Sequence, residues 1–168
     1  MNGGSRTKEN ALGLGELLRE TEGNDQLYKM LEMIEASLEV GGNFSIDNPQ
    51  SSFVWHSPGM KRLLETPGVI SVDFDMCCYG LKPPDAHLLD VDTRVRKITR
   101  LVTNVIGLAK LAKRCDKKHE HVVALGRAKD ATCAIVQRSA AAGVYPKELR
   151  RRWSGLIKAD LTNGAATR

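Results

Sequence analysis

Val69-Ile70-Ser71-Val72-Asp73-Phe74-Asp75-Met76 alternates strictly, with Ile70, Val72, Phe74 and Met76 on one face of an extended chain and Ser71, Asp73 and Asp75 on the other. Such a stretch is a strand with one apolar side, and it needs an apolar layer to lie against. The chain upstream supplies one. Ser57-Pro58 reads as an N-cap followed by proline in the first turn, with Met60, Leu63 and Leu64 facing inward until Pro67-Gly68 ends the helix. Before it, Leu27, Leu31, Ile34 and Leu38 recur at helical spacing between a cap at Asn24 or Asp25 and a stop at Gly41-Gly42. Between these helices Phe44-Ser45-Ile46 is a short strand, which Asp47-Asn48-Pro49 would close in a tight polar turn.

Downstream, Tyr79-Gly80 opens a loop that runs through Pro83-Pro84 to about Asp92. Thr99 to Val105 predicts a strand, Gly107 to Arg114 a small helix, Val122 to Leu125 a further strand, and the alanine-rich Ala131 to Ala142 a helix. Pro146 opens a last helix with Leu149, Trp153 and Leu156 or Ile157 along one side. Strands alternating with helices predict an α/β sheet flanked by helices. The expected organisation is a flexible lead-in over 1–22 with a short helix around Leu12 to Leu18, one domain over 23–158, and a tail over 159–168.

A chain of 168 residues, 42% apolar and 27% charged, has the composition of one compact domain. No run approaches the roughly 20 apolar residues that span a bilayer, and nothing behind Met1 resembles a secretory leader, so nucleus or cytoplasm is expected, with no membrane partner. Cys77, Cys78, Cys115 and Cys133 lack the regular spacing of a disulfide framework and read as reduced thiols. Of these, Cys77, Cys78 and Cys133 are expected to be buried as small hydrophobes.

Charge divides the chain. Residues 1–93 hold seven Lys/Arg against fifteen Asp/Glu, net −8, while residues 94–168 hold eighteen against five, net +13. The acidic part neutralises the basic part within the fold, or the basic part faces a polyanion such as nucleic acid. The cations cluster as Arg94, Arg96, Lys97 and Arg100, then Lys110, Lys113, Arg114, Lys117 and Lys118, then Arg150 to Arg152. Only Tyr145 and Trp153 are aromatic in that region, which favours phosphate contacts over base stacking.

Several polar phrases follow one another in order: Phe44-Ser-Ile-Asp-Asn-Pro-Gln-Ser-Ser-Phe-Val-Trp55, Asp75-Met-Cys-Cys-Tyr-Gly80, Arg96-Lys-Ile-Thr99 with Thr103-Asn104, Arg114-Cys-Asp-Lys-Lys-His-Glu-His121, and Val144-Tyr-Pro-Lys-Glu-Leu149. Their sequence over residues 24 to 157 resembles cytosine-5 DNA methyltransferase-like proteins of phage and retroelement type. The resemblance implies a partial Rossmann-like methyltransferase sheet flanked by helices. It implies that Asp47 and Asn48 stand where the family's Glu-Asn phrase contacts the target base, at the ligand-binding end of a strand. Asp47 is one methylene shorter than glutamate, roughly 1.5 Å of reach, and a misplacement of that order costs about a hundredfold in rate. Arg96 and Lys97 match the basic phrase that steadies the base, and with Arg94, Arg100, Lys113, Arg114, Lys117 and Lys118 they are the expected nucleic-acid contacts.

The glycine-rich turn that receives S-adenosylmethionine in the family finds no counterpart between Met1 and Gly23, and the Pro-Cys loop of the attacking thiolate is missing too. The expectation is a methyltransferase-like, nucleic-acid-associated domain that is inactive alone. It would hold no cofactor unless a missing half supplied S-adenosylmethionine, and a partner chain would complete its sheet. The alternative is a non-catalytic nucleic-acid-binding or assembly module that uses the basic C-terminal half.

Cys115, His119 and His121 put three metal donors within seven residues, and Cys77 or Cys78 could complete a set from a distance. The spacing matches no standard zinc pattern, so no metal ligand is assigned from sequence. A nucleophilic pair of Cys77 or Cys115 with His56, His87, His119 or His121 has no support from spacing either. For Asp47 and Asn48 the competing reading is an Asx turn.

Overall fold

The computed structural model describes residues 4–165 and has a mixed α/β fold. In chain order it contains α1 (Leu18–Glu39), β1 (Ser45–Pro49), a 3-10 turn at Phe53–His56, α2 (Pro58–Glu65), β2 (Ile70–Asp75), a 3-10 turn at Met76–Tyr79 and β3 (Arg94–Arg96). There follow β4 (Ile98–Thr103), a 3-10 turn at Ile106–Leu111, β5 (His121–Val123), β6 (Arg127–Lys129), β7 (Ile135–Gln137), α3 (Arg138–Ala141) and α4 (Lys147–Ala165). Strands β1, β4 and β2 form one sheet in that order, β3 pairs in parallel with β5, and β6 pairs antiparallel with β7. The chain divides into two compact units, the first running to Ser71 and including Leu101–Ile106, the second holding Val72–Arg100 and Gly107 onward.

In the first unit Leu27, Leu31 and Ile34 of α1 pack with Phe44, Trp55, Met60, Leu63 and Val102 in one buried cluster. The end of α1 falls where the sequence places it. Gly41 adopts φ 70°, its N–H donates to Leu38 O at 3.0 Å, and Gly42 N–H donates to Ser37 O at 2.7 Å, the two bonds of a Schellman motif. The helix begins seven or eight residues earlier than a cap at Asn24 or Asp25 implies, after Leu17, which offers no side-chain cap. Buried Glu20 takes over the task of ordering this end, accepting hydrogen bonds from Ser5 N–H at 2.6 Å and from Ser5 Oγ. Asn24, read as a cap, instead donates to Leu12 O at 2.9 Å and accepts from Arg6 Nη2 at 2.8 Å. The described part of the lead-in is thus bound along α1, whereas residues 1–3 of the expected flexible segment lie outside the described residues.

Asp47-Asn48-Pro49 belongs to β1 and does not form the expected turn. The turn falls one step later, where Ser52 N–H donates to Pro49 O at 2.9 Å and the Trp55 indole N–H donates to the same oxygen at 2.8 Å. Proline is accommodated because β1 is an edge strand and Pro49 is its last residue. Asn104 fixes the start of β1 by accepting from Phe44 N–H and donating to Gly42 O, each at 2.9 Å. Ser57 caps α2 as expected, its Oγ accepting from Met60 N–H.

In the second unit, the apolar face of β2 is buried at Val72, Phe74 and the following Met76. Phe74 meets the Tyr79 ring edge-on at 5.8 Å and the Trp153 ring at 6.4 Å. Helix α4 buries Leu149 completely and extends to Ala165, so most of the expected tail is helical, and residues 166–168 lie outside the described residues.

The alanine-rich stretch is not the helix its composition suggests. It forms the β6–β7 hairpin and only one helical turn, α3. Asp130 Oδ1 accepts from Thr132 N–H at 2.8 Å, Thr132 Oγ at 2.7 Å and Ala134 N–H at 3.1 Å, and Cys133 takes φ 64°, which closes a tight turn before the β-branched pair Ile135-Val136. Cys133 is exposed, not buried as expected.

Arg138 ties this region to the loop before β3 through an ion pair with buried Asp85. Hydrogen bonding to Arg138, ahead of the opposing effect of burial, holds the Asp85 carboxyl below the usual range. A depressed folded value means that the pair stabilises the fold above the unfolded pKa of about 3.9 and that this contribution is lost as pH falls through the folded value. Urea melts of wild type and Asp85→Asn across pH 3–7 are expected to diverge above about pH 4 and to converge below it.

Candidate metal centre and basic cleft

The backbone of the second unit brings distant parts of the sequence to one place. Phe74 and Lys113 form a parallel bridge, and Asp75 N–H donates to Lys113 O at 2.9 Å, which sets Cys115 beside the end of β2. Cys77 follows immediately in the 3-10 turn, whose start is fixed by Met76 N–H donating to Lys97 O at 2.9 Å. The β3–β5 pairing places His121 opposite Arg94, and Arg94 N–H donates to Glu120 O at 2.9 Å.

The result is a cluster of Cys77, Cys115, His119 and His121 whose donor atoms all lie within 4.8 Å of one another. Cys115 Sγ is 3.5 Å from His119 Nε2 and 3.5 Å from His121 Nε2. Lys117, at φ 62°, turns its N–H back to Cys115 Sγ at 3.3 Å, and Asp75 Oδ2 accepts Cys115 N–H at 2.7 Å. The two imidazoles lie 4.5 Å apart at a tilt of 59°. Cys77 is fully buried and the other three are half-buried.

Burial, followed by a hydrogen bond with Cys115, pushes the Cys77 thiol up to about 12, and burial lowers His121. A thiol so raised and so enclosed is a poor nucleophile, which disfavours a catalytic Cys77–His pairing. Of the two distant thiols, Cys77 stands with Cys115, His119 and His121, whereas Cys78 lies on the wall of the adjoining cleft. Sequence spacing leaves Cys77 and Cys78 equivalent, because both sit nearly 40 positions before Cys115 and the bridge between Phe74 and Lys113 decides which approaches it.

That cleft, about 320 Å³, is lined by Arg94, Lys113, Arg114 and Lys118 against Asp92 and Asp116. His119 belongs to both the cluster and the cleft wall. The eight cations expected to contact nucleic acid are not equivalent in the structure. Arg100 is spent on the fold, donating Nε to Asp73 Oδ1 at 2.8 Å and Nη2 to Asp73 Oδ2 at 3.0 Å. Lys97 donates to Ala142 O at 3.0 Å, and Arg94 donates to Cys77 O at 2.9 Å and to Asp92. Arg114 leans on Asp73 and Asp75 at 3.3 and 3.4 Å. Lys113 reaches Cys78 O at 3.3 Å over the Tyr79 ring, Lys118 meets Asp116 at 3.6 Å, and Lys117 and Arg96 are exposed.

Asp47 and Asn48 stand in the first unit, on β1. Asn48 lines a second cleft of about 360 Å³ with Arg6, Asn24, Ser51 and Ser52. Trp55 is a core residue, and Trp153 stacks on Tyr145 at 5.8 Å. Among the described residues no helix is long and apolar enough to cross a membrane. No protein-family model, curated protein or solved structure matches this sequence.

Proposed function

We propose that the chain is a methyltransferase-like, nucleic-acid-associated domain that acts by binding phosphate and not by catalysis of its own. The observation that carries this reading is the basic cleft of the second unit, where four cations converge against two carboxylates. Phosphate oxygens need only such charges, and Lys113 and Lys118 can reorient toward a ligand at the cost of weak, exposed contacts. The aromatic faces nearby are engaged within the fold, since Trp153 packs on Phe74 and Tyr145, so backbone contact is favoured over base stacking. Such a domain belongs in the nucleus or cytoplasm, with DNA as its first candidate partner.

The test is binding of short DNA duplexes, single strands and RNA, followed by fluorescence anisotropy across a salt series. If Lys113 and Lys118 each neutralise one phosphate, Lys113→Ala with Lys118→Ala lowers the log-log salt slope on duplex DNA by about 2. The affinity lost between 50 and 200 mM salt then shrinks by about tenfold. Absence of binding at low salt, or a double variant with the wild-type slope, contradicts the proposal.

The methyltransferase-like half of this reading, including a partial Rossmann-like sheet, rests on the ordered phrases together with one structural feature. Asp47 and Asn48 lie in a sheet strand, and Asn48 lines a cleft, which supports the reading. On that reading Asp47→Ala weakens binding to cytosine-containing oligonucleotides more than to cytosine-free ones, whereas a plain binding module shows no such difference. A partner chain that extends the sheet would add at β1, an exposed-edge position in the strand order whose last residue, Pro49, has no N–H to offer.

A further inference from the structure

We propose that Cys77, Cys115, His119 and His121 bind one zinc ion in a closed, tetrahedral Cys2His2 site that holds segment 115–121 against the ends of β2 and β3. The site shares His119 with the wall of the phosphate cleft, but it stands or falls on metal binding alone.

Two donor separations match the edges of a zinc tetrahedron, and the other donors stand near enough to be drawn onto one ion. With Zn–S of about 2.3 Å and Zn–N of about 2.0–2.1 Å, a sulfur and a nitrogen at two corners of a regular tetrahedron are separated by about 3.5 Å. The separations from Cys115 Sγ to the two ring nitrogens are both 3.5 Å, and all four donors lie within 4.8 Å of one another. Cys115 Sγ faces both ring nitrogens, and the Lys117 N–H donates to it at 3.3 Å, in the way outer-shell groups support metal ligands.

The donor set selects the metal. Two thiolates and two imidazoles in tetrahedral array suit zinc, and the absence of carboxylate oxygens from the four does not suit calcium or magnesium. Four protein donors leave no open position, so the ion is structural. Two thiolates neutralise the dication, and Asp75 contributes by fixing the Cys115 backbone through its N–H and not by ligation. The site fastens a segment with little apolar support of its own to strands β2 and β3. Segment 115–121 has no fully buried residue, and β5 contributes three residues of which Val123 is 60% exposed. A metal is a strong way to order such a segment.

The test uses the full chain, reduced and stripped with chelator, titrated with cobalt(II) chloride and then with zinc. The expected result is one equivalent of cobalt with tetrahedral d–d absorption and a thiolate-to-cobalt charge-transfer band, both abolished by stoichiometric zinc. Cys78→Ser and Cys133→Ser retain the bands. Cys77→Ser and Cys115→Ser lose affinity by more than the 10–100-fold that a supporting outer-shell change costs. His119→Cys retains one equivalent with a stronger charge-transfer band, because it exchanges a nitrogen for a third thiolate, and it decides the matter if the serine variants fail to fold. A folded, reduced protein with no saturable band overturns the proposal, as does loss of the band in Cys78→Ser with its retention in Cys77→Ser.

Discussion

Phe74→Ala is expected to lower the stability of the second unit by about 3–5 kcal/mol, the range for emptying a buried aromatic site. Phe74 has no exposed surface, and its ring is held edge-on by Tyr79 at 5.8 Å and Trp153 at 6.4 Å. Those neighbours cannot easily collapse into the void. Tyr79 is anchored by its hydroxyl, which donates to Leu111 O at 2.7 Å, and the backbone of residue 74 is pinned by its bridge to Lys113. Phe74→Leu, which keeps much of the volume, is expected to cost about 1 kcal/mol. The sequence holds two tryptophans, Trp55 in the first unit and Trp153 in the second, so fluorotryptophan labelling lets fluorine NMR follow each unit through a urea melt. The Trp153 signal should move to markedly lower urea in Phe74→Ala. An unchanged midpoint would show that Phe74 is not at the centre of that core.

Met60→Ala is the corresponding change in the first unit, with an expected loss of about 2–5 kcal/mol. Met60 is fully buried on α2 among Leu27, Leu31, Ile34, Trp55 and Leu63. Its neighbour Gly59 shows how close α2 comes to α1, since a Cβ there would stand 2.4 Å from Leu31 Cδ1. With the helices already in contact, closing inward cannot fill a cavity at residue 60, which points to the upper part of the range. The Trp55 signal reports the result directly, because its buried indole belongs to the same cluster. Met60→Leu should restore most of the stability.

The parts of the fold that were legible in the sequence are those governed by local rules. The Ser57 cap, the Gly41-Gly42 stop and the alternation through β2 each depend on a few adjacent residues, and each lies where periodicity and capping put it. Misreadings arose where a distant partner overrides a local preference. Asn24 looked like a cap because nothing in its neighbourhood reveals that Leu12 and Arg6 engage its side chain. Asp47-Asn48-Pro49 looked like a turn, yet an edge position tolerates proline and lets the strand continue. The alanines after Ala131 suggested a helix until the Asp130 carboxylate and β-branched Ile135-Val136 drew the chain into a hairpin.

The candidate site divides in the same way. The basic clusters were visible as charge, but the sequence could not separate Arg100 and Lys97, committed to Asp73 and Ala142, from Lys113 and Lys118, which lie on the cleft. Three metal donors were visible within seven residues. For the fourth the sequence offers Cys77 or Cys78, and only the pairing across 38 positions places Cys77 in the cluster.

Phosphate capture by the second unit is tested most directly by following backbone amides in a proton–nitrogen correlation spectrum as a short DNA duplex is added at low salt. The account predicts the largest shifts at Lys113, Arg114, Lys118 and His119, saturating with the duplex and fading as salt rises. Shifts confined to the first unit, or none at low salt, would contradict it.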